Sequence, residues 1–306
     1  MSKIAPPVSE TPVQERLYKA ARRLLQSRQI MYETFYALTQ RPFSITSNPA
    51  MLFLSPRHKE ALSHLTYGIK ERVGFIEITG EVGTGKTTVC RALLNQLDDT
   101  TKTAFIFNSN LSELQLMQTI VADLGIKTNA KNKGALFAVL NRFLLEQLTL
   151  NNNVVVIIDE AQNLSLKLLE QVRMLSNLES ENEKLIQIVL VGQPELRTKL
   201  NMPQLRQLRQ RIGVRYHIEA LSREETAQYI THRLNLSGAE RRAPVFEESA
   251  LDEIFRYSGG IPRLINIVCN KALLTGFVME ERLISEDIVK QCIAEIEGKP
   301  TYEYHQ

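Results

Sequence analysis

Short, continuous apolar runs alternate with amphipathic stretches in the chain up to Leu221. The continuous runs predict buried strands at 74–79, 103–107, 154–158, 186–191 and 214–218. The stretches between them have apolar residues at helical spacing and predict helices at 57–71, 87–97, 112–124, 134–148 and 165–178. Strands that alternate with helices, several of them apolar throughout, indicate a parallel sheet covered on both faces.

The two ends of the chain follow a different pattern. Beyond Leu221 only helical periodicity remains, over 222–236, 247–257, 262–276 and 285–296, and it predicts a separate small bundle. Residues 1–12 carry three prolines, which predict a flexible leader. The following stretch, 13–25, predicts a basic amphipathic helix. Such a helix either docks on its own protein or contacts an anionic surface or a partner.

A glycine-rich stretch joins the first predicted strand to its helix. It reads GEVGTGKTT and fits the phosphate-loop template G-x-x-x-x-G-K-[ST]. Glycines let backbone N–H groups turn inward around a phosphate, and the start of the following helix adds partial positive charge. We expect Lys86 to reach the β and γ phosphates and Thr87 to give an oxygen ligand to Mg²⁺. The residues expected to bind the nucleotide are Gly80, Glu81, Val82, Gly83, Thr84, Gly85, Lys86, Thr87 and Thr88.

Two acidic residues follow the third predicted strand, which reads VVVIIDE. Ligands of open α/β sheets bind at the carboxyl ends of the strands, so Asp159 is expected to hold Mg²⁺ there. Glu160 is then placed to polarise the attacking water as a general base. The alternative is an acid pair that only caps the next helix.

Further polar residues follow the later strands. Gln193 leaves the fourth predicted strand, where its side chain either senses the γ phosphate or simply forms a turn. Arg263 follows Pro262 at a predicted helix start, against the helix dipole, so it is either directed at an anion or paired with a nearby acid. A group of arginines around the fifth strand forms either a solvated basic face or an arginine finger for a neighbouring subunit: Arg206, Arg209, Arg211 and Arg215.

Composition restricts the other possibilities. The three cysteines form no C-x-x-C pair and the five histidines have no paired ligand spacing, so neither disulfides nor a metal other than Mg²⁺ is indicated. No apolar run approaches the ~18 residues of a membrane span, and the N-terminus has no signal-peptide pattern, which makes the cytoplasm the expected location. The net charge of +3 does not by itself indicate nucleic acid.

Several motifs together carry a family resemblance. In chain order they are MYETFYALTQRPFSIT, the phosphate loop, DEAQNLS, LVGQPEL, LRQRI and GGIPRLIN. This series resembles the AAA+ ATPases of the ExeA/GspA type, which belong to the general (type II) secretion pathway. The resemblance runs from residue 31 to about residue 296 and covers the ATPase module only.

The resemblance implies a P-loop NTPase sheet in the order 5-1-4-3-2 with a C-terminal helical lid. It also implies hydrolysis of ATP with Mg²⁺ and a homo-oligomer in which an arginine of one subunit reaches the next subunit's site. It implies that Lys86 and Thr87 belong to the Walker A motif and that Asp159 and Glu160 belong to the Walker B motif. It also implies that Gln193 is sensor 1 and Arg263 is sensor 2. The arginine finger it implies is Arg211 or, as the alternative, Arg209. We therefore expect a leader with the basic helix over 1–42, an AAA+ α/β domain over 43–221, a lid over 222–298 and a tail over 299–306.

Three functions are compatible with these motifs. The family match favours an ATPase that drives assembly of a secretion or pilus-type envelope machine through a membrane-protein partner. The first alternative is a DNA-transaction ATPase related to transposition regulators, whose DNA binding would weaken steeply with salt. The second is a nucleotide switch that binds ATP and hydrolyses it slowly.

Overall fold

The computed structural model describes residues 32–44, 51–107, 111–179, 184–239 and 245–299. One compact unit is Leu54–Ala220, and a second combines the described residues up to Phe53 with those from Leu221 onward. The structure thus groups residues 32–44 with the helical part of the chain. The predicted basic helix at 13–25 lies outside the described residues.

A five-stranded parallel sheet forms the centre of the first unit. Its strands are β1 (Phe75–Gly80), β2 (Thr101–Ile106), β3 (Asn153–Ile158), β4 (Gln187–Gly192) and β5 (Ile212–Ile218). Their order is β2-β3-β4-β1-β5, which confirms the order 5-1-4-3-2 expected from the resemblance. β1 and β4 are buried along their whole length, as a central parallel strand covered on both faces must be.

The helices account for the remaining regular structure. In chain order they are α1 (Tyr32–Phe35), α2 (Pro56–Lys70), α3 (Lys86–Leu94), α4 (Glu113–Asp123), α5 (Lys133–Thr149), α6 (Leu166–Leu175), α7 (Pro194–Leu200), α8 (Arg206–Gln210), α9 (Arg223–Leu234), α10 (Glu248–Ser258), α11 (Pro262–Met279) and α12 (Glu286–Ile296). Serine N-caps begin several of them: the hydroxyls of Ser112, Ser165, Ser222 and Ser285 each accept from a backbone N–H of the first turn.

The helices α7 and α8 were not predicted. Both are short, with seven and five residues, so neither completes enough turns for an apolar stripe to be recognised. α7 begins with Pro194 directly after β4, where a proline is compatible with a first helical turn because its missing N–H has no partner there. Two short 3-10 turns, Ala161–Asn163 and Pro203–Leu205, also belong to this unit.

The second unit is a helical bundle with its own hydrophobic core. Tyr32, Tyr36 and Phe43 pack in this core together with buried residues of α9 to α12. The Arg233 guanidinium is buried and donates to the Pro42 carbonyl at 2.6 Å, which fastens the N-terminal segment to α9. No helix of the described residues is both long and apolar enough to cross a membrane.

Candidate nucleotide-binding site

The loop from Gly80 to Lys86 has a backbone that only glycine tolerates at two positions. Gly83 and Gly85 have φ angles of 84° and 95°, in the left-handed region that side chains disfavour. A Cβ on Gly85 would also lie 2.8 Å from His58 Nε2. The loop passes directly from β1 into α3, so backbone N–H groups and the positive end of a helix dipole meet at one place.

Lys86 is the first residue of α3, and its side chain is folded into the loop. Its ammonium group donates to the carbonyl oxygens of Gly80 and Glu81, both at 2.8 Å. Burial lowers the pKa of this ammonium, and the nearby carboxylates of Glu160 and Asp159 act in the opposite direction. A cation that is desolvated in this way interacts more strongly with a phosphate than an exposed lysine does.

Thr87 and Asp159 bring oxygen atoms together beside the loop. The Thr87 hydroxyl donates to Asp159 Oδ2 at 2.6 Å, and the carboxylate is 3% exposed. Mg²⁺ binds through few protein oxygens together with phosphate oxygens and water, so a hydroxyl next to a carboxylate fits this ion. No group of three or more histidine, cysteine or acidic residues suited to a metal occurs in the described part of the chain.

Glu160 follows Asp159 in an unusual backbone conformation. Its φ and ψ angles are 52° and 36°, a left-handed conformation that is uncommon for a residue other than glycine. The Gln193 amide donates to its carboxylate at 3.2 Å, so the predicted sensor and the predicted base are in direct contact. The sequence also offers Asn108, at the end of the second predicted strand, either as a hydrogen-bond partner of Glu160 or as a simple turn residue, and Asn108 lies outside the described residues.

The arginines around β5 are all distant from the loop in sequence, and the sheet register shows where two of them lie. Ile212 pairs with Phe75, whereas the loop begins beyond Gly80 at the opposite end of β1. Arg211, just before β5, therefore lies at the end of the sheet away from its own loop, and it donates to Ser176 Oγ at 2.9 Å and to the Asn177 side chain. Arg215 instead pairs with the buried Glu77 carboxylate at 3.2 Å.

Arg263 lies in the helical unit, at the second residue of α11. Its side chain is exposed and forms no hydrogen bond or ion pair with another described residue. Pairing with a nearby acid was the alternative to an anion-binding role, and the described residues provide no such acid. The role of Arg263 as sensor 2 stays a prediction.

His58 is a site residue that the sequence did not reveal. This buried residue of α2 places Nε2 2.7 Å from the Thr84 carbonyl and Nδ1 2.8 Å from the Ser55 hydroxyl. A carbonyl only accepts, so Nε2 carries a proton, and in the neutral ring Nδ1 accepts from Ser55. His58 thus supports the loop through a hydrogen bond to the Thr84 carbonyl. A lone histidine in a helical pattern gives no sequence signal for such a contact.

We expect His58→Leu to weaken ATP binding by about tenfold, because the buried Thr84 carbonyl loses its donor and the loop loses its support. His58→Gln, which keeps an N–H donor, should recover part of the affinity. Equilibrium binding of a fluorescent ATP analogue measures both effects. His64, whose side chain is 44% exposed, is the matched control and should bind as the wild type does when it is changed to leucine. Equal affinities for wild type and His58→Leu would remove His58 from the site.

We expect Glu160→Gln to keep ATP bound while hydrolysis falls by about 10²-fold or more, because an amide cannot accept the proton of the attacking water. Phosphate release under saturating ATP measures the loss, and equilibrium binding shows that the nucleotide is retained. Glu170→Gln on α6, whose side chain pairs with Arg173, is the matched control. Wild-type turnover in Glu160→Gln would show that Glu160 is not the base.

Comparison with known proteins agrees with this geometry. Residues 69–200 match the model of the AAA domain family. General secretion pathway protein A of Aeromonas hydrophila is 44% identical over 270 residues, which cover 88% of this chain and 49% of that protein. The chain therefore spans about half the length of this relative.

Solved structures share the fold at low sequence identity. The Aeropyrum pernix ORC2 protein, in ADPNP and ADP complexes, matches with a TM-score of 0.61 and 21% identity over 84% of this chain and 71% of its own. Cdc6p of Pyrobaculum aerophilum matches with a TM-score of 0.65 and 19% identity over 83% and 70% of the two chains. A structure of Drosophila ORC bound to DNA matches with a TM-score of 0.61 and 18% identity over 94% and 74%. These similarities establish the fold alone.

Proposed function

Because this chain is an AAA+ ATPase of the ExeA/GspA type, we propose that it hydrolyses ATP to drive assembly of a secretion or pilus-type envelope machine through a membrane-protein partner. The 44% identity to General secretion pathway protein A of Aeromonas hydrophila carries this proposal. The proposal places the ATPase module in the cytoplasm, where ATP is available. Turnover of ATP would then supply the free energy that changes how the partner is arranged.

In the proposed reaction the loop binds the phosphates through its backbone N–H groups, and Lys86 moves from the loop carbonyls to the β and γ phosphates. Thr87 and Asp159 would hold Mg²⁺, which neutralises the charge that develops on the transferred phosphoryl group. Glu160 accepts the proton of the attacking water, and Gln193 orients the Glu160 carboxylate through the hydrogen bond between them. Arg263 is proposed to contribute positive charge to the same nucleotide.

The proposal is tested in the organism that encodes this chain. We expect deletion of the gene to abolish export of the proteins that its secretion or pilus machine carries, and to leave the envelope components of that machine unassembled. Complementation with the wild-type gene should restore export, and complementation with Lys86→Ala should not. Export assayed by blotting the culture medium, together with cross-linking of the envelope components, measures both. Normal export in the deletion strain would overturn the proposal.

The purified protein can be tested directly for the alternative, a DNA-related function. Fluorescence anisotropy of the purified protein on random duplex DNA, with and without ATP, gives the affinity. If binding depends on ATP and weakens steeply between low and high salt, the phosphate backbone is the ligand and a DNA-transaction ATPase replaces the envelope function. We expect no such ATP-dependent binding.

A further inference from the structure

The 3-10 turn Ala161–Asn163, directly after Glu160, contains a glutamine with a bridging side chain. Gln162 Nε2 donates to Glu160 Oε2 at 2.5 Å. The other end of the same amide, Gln162 Oε1, accepts from the backbone N–H of Gln193 at 3.0 Å. One side chain therefore connects the carboxylate that follows β3 with the backbone that follows β4.

The backbone of this turn is fastened to α7 as well. The Lys199 ammonium, in the last turn of α7, donates to the carbonyl oxygens of Gln162 and Leu164 at 2.6 and 2.8 Å. A Cβ on Gly192, at the end of β4, would lie 2.8 Å from Gln162 Oε1, so glycine there leaves room for the amide. Both ends of α7 thus hold the turn, one through Gln193 and the other through Lys199.

Such a bridge accounts for the conformation of Glu160. The left-handed backbone of a glutamate persists only where neighbouring contacts hold it in place. The two glutamine amides on its carboxylate, from Gln162 and Gln193, supply contacts of this kind. They are donors, which orient a carboxylate without neutralising it.

We propose that Gln162 is a positioning residue for ATP hydrolysis, which holds the Glu160 carboxylate in its reactive orientation and couples it to the start of α7. This inference rests on the proposed role of Glu160 as the base. The hydrogen bonds that Gln162 forms with other described residues go to Glu160, Gln193 and Lys199 and to none of the phosphate loop, so it acts on turnover and leaves nucleotide affinity to the loop. Helix α7 is followed by the turn Pro203–Leu205 and then by α8, which carries Arg206 and Arg209. The hydrogen bonds of Gln162 therefore connect the Glu160 carboxylate to the segment that continues into α8.

Two variants of the full chain distinguish the hydrogen bond that Gln162 donates to Glu160 from the one that it accepts from Gln193. Gln162→Met keeps the length of the side chain and removes both hydrogen bonds. Gln162→Glu keeps the acceptor for the Gln193 N–H and replaces the donor by a second carboxylate. We expect kcat to fall about ten- to hundredfold in both variants, because small misplacements of a reacting group cost that much. The Kd for ATP should stay within about twofold of the wild-type value.

Thermal unfolding without nucleotide shows whether each variant is folded, and Gln96→Met, at an exposed glutamine, is the matched control with wild-type turnover. The deciding measurement is single-turnover hydrolysis of labelled ATP in the Glu160→Gln background. A residue that acts through Glu160 should cause no further loss there, so Gln162→Met/Glu160→Gln and Glu160→Gln alone should turn over at the same rate.

Wild-type kcat in a folded Gln162→Met or Gln162→Glu variant would overturn the inference. So would an equal fold-loss from Gln162→Met with and without Glu160→Gln, or a loss of ATP affinity that parallels the loss of kcat. If instead Glu160 is not the base, Glu160→Gln itself would keep wild-type turnover, so the two failures can be distinguished. Failure of the envelope function is visible only in export by cells and leaves these rates unchanged.

Discussion

Arg211→Ala is expected to lower ATP turnover by about 10³-fold or more while ATP stays bound, which is the effect of removing an arginine finger. The reason is that the γ phosphate needs a planar, permanently charged group when negative charge spreads over its oxygens. The chain's own loop supplies Lys86, and Asp159 and Glu160 lie beside it, so the finger is the part that a second subunit would contribute.

The sheet register gives this prediction its geometric basis. Arg211 precedes Ile212, which pairs with Phe75, and the loop starts at the far end of β1. Five residues of strand at about 3.3 Å each separate these ends by roughly 17 Å, which is beyond the reach of an arginine side chain. If Arg211 contacts a γ phosphate at all, it does so in another copy of the chain.

A structural role is the competing explanation, because Arg211 donates to Ser176 and to Asn177 at the end of α6. The two explanations differ in how activity depends on concentration and mixing. Shared sites require assembly, so specific activity should rise with protein concentration. Mixing Arg211→Ala with Glu160→Gln should restore part of the activity, because an intact glutamate and an intact arginine meet at some of the mixed interfaces. A merely structural arginine gives no such recovery.

The measurement is a dilution series of phosphate release for wild type, each variant and their mixture. Arg211→Lys, which keeps the charge and loses the planar fork, should remain poorly active. Arg209→Ala tests the alternative finger, whose guanidinium donates to the Asn201 side chain at 3.4 Å. Flat specific activity on dilution, with full turnover in both alanine variants, would show that these arginines form a solvated face.

Lys86→Ala should abolish measurable ATP binding. The ammonium is the one loop cation placed to reach the β and γ phosphates, and charge-assisted hydrogen bonds to phosphate are about twice as strong as neutral ones. Its removal also takes one hydrogen-bond donor from each of the Gly80 and Glu81 carbonyls, so the loop loses internal support as well.

Equilibrium binding of a fluorescent ATP analogue tests this expectation, and thermal unfolding without nucleotide shows that the variant is folded. Lys102→Ala is the control: this lysine lies on β2 and donates to the Asp99 carbonyl, away from the loop. Unchanged affinity in Lys86→Ala would contradict the assignment of the whole site.

The phosphate loop and the parallel sheet could be predicted because each depends on residues close together in the sequence. The glycines of positive φ, the lysine and the threonine all lie within one short stretch, residues 83–87. The central strands β3 and β4 are apolar runs, and burial on both faces requires that pattern wherever the strand lies in the sheet. The strand order came from the resemblance and was confirmed by the pairing.

Helix ends and short elements were less predictable for a physical reason. Local sequence predicts α3 only from Thr87, whereas it begins at Lys86, because the left-handed Gly85 is what turns the chain into the helix. α7 exists because Leu196 and Leu200 pack into the core beneath it, and that burial depends on strands and helices far away in sequence. Tertiary packing of this kind supplies most of the stability of a short helix.

The sequence by itself determined which residues are expected to bind phosphate, which carboxylates follow the strand ends and which class of sheet carries them. Only the tertiary structure decided how those groups are supported. His58 and Thr84 are 26 positions apart, and Gln162 and Gln193 are 31 apart, yet each pair is joined by a hydrogen bond. Local composition records propensity and charge, whereas such contacts arise when a helix such as α2 packs beside the loop and when parallel strands bring the loops that follow them to one edge of the sheet.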